Sequence, residues 1–114
     1  MTGEAGDLIE WPRVWELRDE IGDEEFGEVV TLFLEETETM VDALMGAPPD
    51  GLEGELHALK GAALNLGFAQ LAKLCATGEQ MAKQGRAEEV AISPVLSCFM
   101  ESRDRFTDQV GQTQ

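Results

Sequence analysis

One stretch of the chain, residues 26–44, restricts the fold more than any other feature of the sequence. Its apolar residues recur at intervals of three and four, and a helix turns by about 100° per residue, so they share a stripe about 120° wide over about five turns. A stripe of this length predicts an amphipathic helix that packs along one face. Its residues are Phe26, Val29, Val30, Phe33, Thr37, Met40, Val41 and Leu44.

Glycine and proline residues divide the rest of the chain into further helical segments, each with its own apolar stripe. Pro12 suits the first turn of a helix, whereas the glycines and prolines of residues 46–51 indicate a loop. Ser93-Pro94 indicates the start of the last helix, with a distorted start near residue 88 as the alternative. The predicted helices span about residues 11–21, from 23 up to the loop at 46, 51–66, 68–84 and 94–110.

These segments predict an all-α fold, because the sequence contains no strand-like alternation, hairpin signal or internal repeat. Short connections favour antiparallel neighbours, so we expect an antiparallel up-down four-helix bundle with a short N-terminal capping helix. A chain of 114 residues is expected to form one domain. Residues 1–8 are expected to be a flexible acidic tail, residues 9–110 the helical bundle and residues 111–114 a C-terminal tail.

The formal net charge of −15 lies entirely in the first half of the chain. Residues 1–55 contain 17 acidic residues against two arginines, whereas residues 56–114 contain six residues of each sign. Between residues 56 and 87, Glu79 is the one acid among four basic residues. Such a locally basic segment suits a phosphoryl group. The overall negative charge repels phosphate backbones, so nucleic acid is not an expected partner.

The two cysteines, Cys75 and Cys98, lie on apolar helical stretches and form no C-x-x-C pair. We expect free, buried thiols in a reducing cytoplasm, with a disulfide between them as the alternative, and Cys75 as core packing rather than a nucleophile. No segment approaches the about 18 apolar residues that span a bilayer, and no leader is evident, so a cytoplasmic location without membrane contact is expected. One histidine and scattered carboxylates predict no metal site.

The chain's one histidine, His57, lies on the predicted third helix, away from its apolar stripe. A lone histidine is usually a structural residue. Here, however, Lys60, Gly61 and Leu64 share its helical face, which lies opposite the core. An outward imidazole with an ammonium group one turn away suits phosphoryl transfer. The stripe that faces the core consists of Leu52, Leu56, Leu59, Ala63 and Leu66.

The segment that begins His57-Ala58-Leu59-Lys60-Gly61 resembles histidine-containing phosphotransfer (HPt) domains of two-component phosphorelays. The resemblance continues at the family's spacing through residues 67–79, and helices on both sides extend it over most of the chain. Two positions depart from the pattern: Leu56 stands where a small residue often precedes the histidine, and Gly78 stands where a leucine usually precedes the glutamate. Gly78 is expected to weaken its helix by about 1 kcal/mol relative to alanine. The later matching residues are Gly67, Leu71, Cys75 and Glu79.

The resemblance implies that His57 is the phosphoacceptor, although it does not say which ring nitrogen takes the phosphoryl group. Lys60 would offset the phosphate charge, and Gly61 would leave room for a partner domain. Leu64 would add apolar contact with that partner. Phosphoryl transfer needs alignment and positive charge more than a protein base, so a sparse site is sufficient.

Glu79 and Lys83, on the predicted fourth helix, are further candidates. The resemblance places Glu79 near the imidazole, where a carboxylate would orient the ring by accepting its other N–H. The alternative is a surface ion pair between Glu79 and Lys83, one turn apart, worth about 0.3–0.5 kcal/mol.

The partners implied by the resemblance are response-regulator receiver domains and a hybrid or separate histidine kinase. No kinase or ATP-binding signature is present, so we expect a carrier rather than an enzyme. No cofactor is expected on the chain, since Mg²⁺ would sit in the receiver domain, and a monomer is expected. Two alternatives remain: a chemotaxis-type phosphotransfer module charged directly by a kinase, and an acidic helical-bundle binding module that is never phosphorylated.

Overall fold

The computed structural model describes the backbone of residues 8–112 and the side chains of residues 8–110, and it contains no strand over that range. The prediction of an all-helical chain is therefore confirmed for these residues. A one-turn 3-10 helix at Ala87–Glu89 precedes the last α-helix. The five α-helices are α1 (Trp11–Ile21), α2 (Asp23–Met45), α3 (Pro49–Leu66), α4 (Ala69–Lys83) and α5 (Ser93–Gln112).

Helices α2 to α5 form a closed ring of contacts, since each packs on the next and α5 packs on α2. The antiparallel up-down order of these four helices stays a prediction. On α2 the predicted stripe faces the core: Val29, Phe33 and Met40 are half-buried and the rest are buried. The largest side chains in the fully buried core are Phe68, Phe99, Phe106, Leu56, Leu59, Leu66 and Leu71.

Helix α1 packs against α2 and α3. Its indole rings close one side of the core: Trp11 stacks on Phe106 at 6.3 Å and on Trp15 at 5.6 Å between ring centroids. The backbone N–H of Glu10 donates to the carbonyl of Gly67 at 2.7 Å, which ties the start of α1 to the turn between α3 and α4. These contacts agree with the predicted capping position of the first helix.

The predicted boundaries of α1 and α2 match the structure, whereas those of the later helices need correction. Helix α3 begins at Pro49 rather than at residue 51, because proline is well suited to a first helical position and Pro48 stays extended before it. The loop predicted at 46–51 therefore covers only residues 46–48. Helix α4 lies one residue inside its predicted range at each end.

The last helix is longer than predicted at both ends. It begins at Ser93, one residue before the predicted start, and runs to Gln112, so residues 111–112 are helical rather than part of a C-terminal tail. Leu8, assigned to the N-terminal tail, packs against the core. Residues 1–7 and 113–114 lie outside the described residues. Within residues 8–112, no helix is both long and apolar enough to cross a membrane.

Candidate functional site

Helix α3 presents His57 to solvent, opposite the helix face that packs in the core. The His57 side chain is 69% exposed, and Leu64, two turns further on, is 57% exposed. A Cβ atom added at Gly61 would have no neighbour within 4 Å. The structure therefore brings His57, Lys60, Gly61 and Leu64 to one accessible face, as the periodicity of the helix predicts.

Glu79 on α4 contacts the imidazole directly. Its carboxylate Oε2 lies 2.9 Å from His57 Nδ1, within hydrogen-bond distance. The Glu79 side chain is only 8% exposed, although the ring that it holds is largely in solvent. Of the two roles considered for Glu79, contact with the ring fits this geometry better than a surface ion pair.

Two ammonium groups converge on the same carboxylate. Lys60 Nζ lies 2.8 Å from Glu79 Oε1, and Lys83 Nζ lies 3.9 Å from Oε2. The Glu79–Lys83 pair follows from their spacing on one helix, but the closer Lys60–Glu79 pair joins two helices and has no signal in the sequence. With one carboxylate between two ammonium groups, the surroundings of the imidazole carry a net positive charge.

The ammonium group of Lys60 lowers the pKa of the Glu79 carboxyl below its ordinary value. Burial acts in the opposite direction, and the hydrogen bond from His57 adds to the lowering. Glu79 is therefore ionised at neutral pH, and an ionised carboxylate only accepts hydrogen bonds. We accordingly assign the proton of the neutral ring to Nδ1, which leaves a free lone pair on Nε2 of this largely exposed ring.

The stability of the chain should depend on the ionisation of Glu79. Because its pKa is lower in the folded than in the unfolded chain, the charged carboxylate stabilises the fold above the unfolded pKa, and this contribution disappears as pH falls through the folded pKa. The free energy of unfolding of Glu79→Gln should therefore lie below that of the native chain at pH 7 and converge with it in acid. Denaturant titrations across the acid range measure the difference.

The control is Glu28→Gln, which removes an exposed carboxylate on α2. Its stability should follow that of the native chain at every pH. A Glu79→Gln difference that stays constant from neutral to strongly acidic pH would contradict the lowered pKa of Glu79.

Gly61 lines a groove of about 290 Å³ between α2 and α3, in which apolar side chains alternate with the polar Glu36, Thr37 and Asn65. Phe33 and Met40 contribute its wall on α2, and Ala58 and Asn65 lie on the α3 side. The sequence does not predict this groove, because Phe33 and Met40 belong to the stripe that periodicity assigns to the core. Their partial burial leaves an apolar surface next to the exposed face of α3.

Cys75 and Cys98 are free and buried, as predicted, and form no disulfide. Burial raises the pKa of the Cys75 thiol to about 12, with a smaller contribution from nearby Cys98. The thiolate is the nucleophilic form of cysteine, so Cys75 is inert at neutral pH. This agrees with its expected role in core packing.

The described residues thus form an all-helical fold with one exposed histidine, which a carboxylate contacts and two ammonium groups flank. Comparison with protein families matches residues 28–111, which include most of α2, all of α3 and α4 and nearly all of α5, to the Hpt domain. The chain therefore belongs to the Hpt domain family, which assigns it a phosphotransfer role in a phosphorelay.

A solved structure has a similar fold. It is an X-ray structure of a rice protein described as a histidine-containing phosphotransfer protein, with a TM-score of 0.78 and 21% sequence identity. The match covers 96% of this chain and 87% of the rice chain, and at this level of identity it shows the fold alone. No match was found among the curated proteins.

Proposed function

We propose that this chain is a phosphorelay intermediate that takes a phosphoryl group from one receiver-domain aspartate onto His57 and passes it to another. The observation that best supports this proposal is the imidazole of His57, which is 69% exposed and is held at Nδ1 by Glu79 at 2.9 Å. Family membership supplies the phosphotransfer role. We propose in addition that aspartates of receiver domains are the donor and the acceptor of the phosphoryl group.

In the proposed reaction, Nε2 of His57 attacks the phosphorus atom of an aspartyl phosphate. The P–N bond forms as the P–O bond to the aspartate breaks, and the bonding electrons leave with the aspartate carboxylate. Nε2 carries no proton in the assigned tautomer, so the step requires no base. The ring becomes positively charged, and the hydrogen bond from Nδ1 to Glu79 stabilises that charge. Transfer to the second receiver is the reverse of this step.

Lys60 and Lys83 offset the charge of the phosphoryl group in this proposal. Their ammonium groups lie 2.8 Å and 3.9 Å from the carboxylate that holds the ring. Positive charge fixed in place beside a phosphoryl group stabilises both the bound group and the charge-spread transition state without rearrangement.

The receiver domain docks on the face of α3 that carries Gly61 and Leu64. The open space at Gly61 lets the receiver bring its aspartate beside His57, and the exposed Leu64 supplies apolar contact. Gly61 allows the surface of the receiver to approach α3 closely, and Leu64, one turn further on, is then buried against it.

The remaining parts of the proposal concern partners and setting. The phosphoryl group originates from a hybrid or separate histidine kinase, and Mg²⁺ is held by the receiver domain rather than by this chain. We also propose a monomer in the cytoplasm, with helices α2 to α5 in antiparallel up-down order.

The test is incubation of the chain with a receiver domain charged by radiolabelled acetyl phosphate. We expect label on this chain that is lost in acid and retained in alkali, as a P–N bond requires. The control is the same receiver with its phosphoacceptor aspartate replaced by asparagine, which should transfer nothing.

Two other outcomes would favour a different function. No label from a panel of receivers would contradict the carrier role and favour a binding module that is never phosphorylated. Label that arrives from a kinase domain in the absence of any receiver would favour a chemotaxis-type module.

A further inference from the structure

The two residues beside the His57–Glu79 pair, Leu56 and Gly78, meet across the interface between α3 and α4. Leu56 is fully buried. A Cβ atom built at Gly78 would lie 2.9 Å from Leu56 Cδ1 and 3.1 Å from Val90 Cγ1. Both distances are shorter than ordinary carbon contacts in a packed interior. Position 78 therefore has no room for a side chain while Leu56 and Val90 keep their places.

The contact lies one residue away from the site on both helices. A helix rises by about 1.5 Å per residue, so Leu56 and Gly78 lie one residue's rise from the two residues of the His57–Glu79 hydrogen bond. Leu56 is fully buried, and Glu79 follows Gly78 directly on α4. A side chain at position 78 that pushes α4 away from Leu56 therefore carries Glu79 away from His57.

We propose that Gly78 is a positioning residue for the phosphoacceptor: its missing side chain lets α4 approach Leu56 closely enough for Glu79 to hold Nδ1 of His57. Residue 90, which follows the 3-10 helix, closes the other side of this contact. The importance of a fixed imidazole for phosphoryl transfer rests on the proposed function. The contact at Gly78 and the His57–Glu79 hydrogen bond are features of the unphosphorylated chain.

The test is the tautomer of His57 in the Gly78→Ala variant, measured from the ¹⁵N shifts of the ring at alkaline pH. The chain has one histidine, so the ring signals need no assignment. In the native chain we expect the Nδ1–H form to dominate. In the folded variant we expect the population of the Nε2–H form to rise by about threefold or more, because a loosened Glu79 no longer selects Nδ1–H.

Gly27→Ala is the matched control. It makes the same change within a helix, on α2, where an added Cβ atom has no neighbour within 4 Å. Its tautomer ratio should equal that of the native chain. An unchanged ratio in Gly78→Ala would overturn the proposal.

A second pair of variants tests the proposal by rescue. Gly78→Leu alone should shift the ring further toward Nε2–H. Leu56→Ala combined with Gly78→Ala should restore the ratio toward that of the native chain, because it removes Leu56 Cδ1, the closer of the two atoms that crowd the added Cβ. A folded double variant without restoration would overturn the proposal. If Gly78→Leu alone does not fold, Gly78→Ala and the double variant still decide.

The outcome is independent of the phosphotransfer test, since all these spectra come from the unphosphorylated chain. If His57 accepts label and the Gly78 variants keep the native ratio, only the positioning proposal fails. If the ratios shift as expected and no receiver transfers label, only the proposed function fails.

Discussion

The His57→Gln variant is expected to accept no phosphoryl group while it remains folded. His57 is the chain's one histidine, so no other imidazole can take over its role. Its side chain is 69% exposed, so the substitution removes little packing, and the lost hydrogen bond to Glu79 should lower the free energy of unfolding by about 1 kcal/mol. Label transfer from a charged receiver, together with denaturant titration of the same sample, measures both effects.

Retained binding is the control for this variant. Gly61 and Leu64 are unchanged in His57→Gln, so a receiver domain should bind it within about threefold of its affinity for the native chain. Bound receiver without transferred label separates the carrier from a pure binding module. Label that still reaches the variant at the native rate would place the phosphoacceptor on another residue.

Helix boundaries and buried helix faces, which depend on residues close together in the sequence, could largely be predicted. The stripe on α2 fixed its length and its buried face, and the boundaries of α1 and α2 agree with the structure. On α3 the same periodicity placed His57 outward, which is the basis of the proposed site. The sequence does not predict the start of α3 at Pro49, because adjacent prolines are typical of loops, although proline also suits the first turn of a helix.

Apart from the contact between His57 and Glu79, which the family resemblance implies, contacts between helices could not be predicted, because they depend on the distance and register of two helices, which periodicity does not contain. The Lys60–Glu79 ion pair at 2.8 Å is one example. The contact between Gly78 and Leu56 is a second example. Within α4 alone, Gly78 only lowers helix propensity, but in the structure it is the position at which Leu56 packs against α4. Gly78 therefore lowers the helix propensity of α4, but it allows close packing against Leu56, which the sequence does not reveal.

The Gly61→Glu variant is expected to lower the rate of phosphoryl transfer from a receiver domain by about a hundredfold or more, the equivalent of about 3 kcal/mol. Position 61 lies one turn from His57 with open space around it, so a glutamate there fills the volume that the receiver needs. Its carboxylate also repels the phosphoryl group and the acidic pocket expected in the receiver. Stability should stay equal or rise by up to about 1 kcal/mol, because glutamate favours a helix more than glycine does.

The matched control is Gly27→Glu on α2, which adds the same charge at another exposed helical glycine with open space. Its transfer rate should stay within about threefold of the native rate, since net charge acts weakly at a distance in salt. Equal losses in the two variants would indicate a general charge effect. A normal rate in Gly61→Glu would show that the receiver does not dock on this face.

A small phosphodonor separates docking from chemistry in the Gly61→Glu variant. Phosphoramidate needs no docking surface, and Nε2 of His57 stays exposed in the variant, so it should label the variant at a rate within about tenfold of the native rate, the margin reflecting the added charge. Loss of receiver transfer alone then locates the effect in docking, whereas loss of both would mean that the glutamate disturbs the imidazole itself. Because His57→Gln should bind without carrying and Gly61→Glu should react without docking, the two variants together test whether one face of α3 performs both tasks.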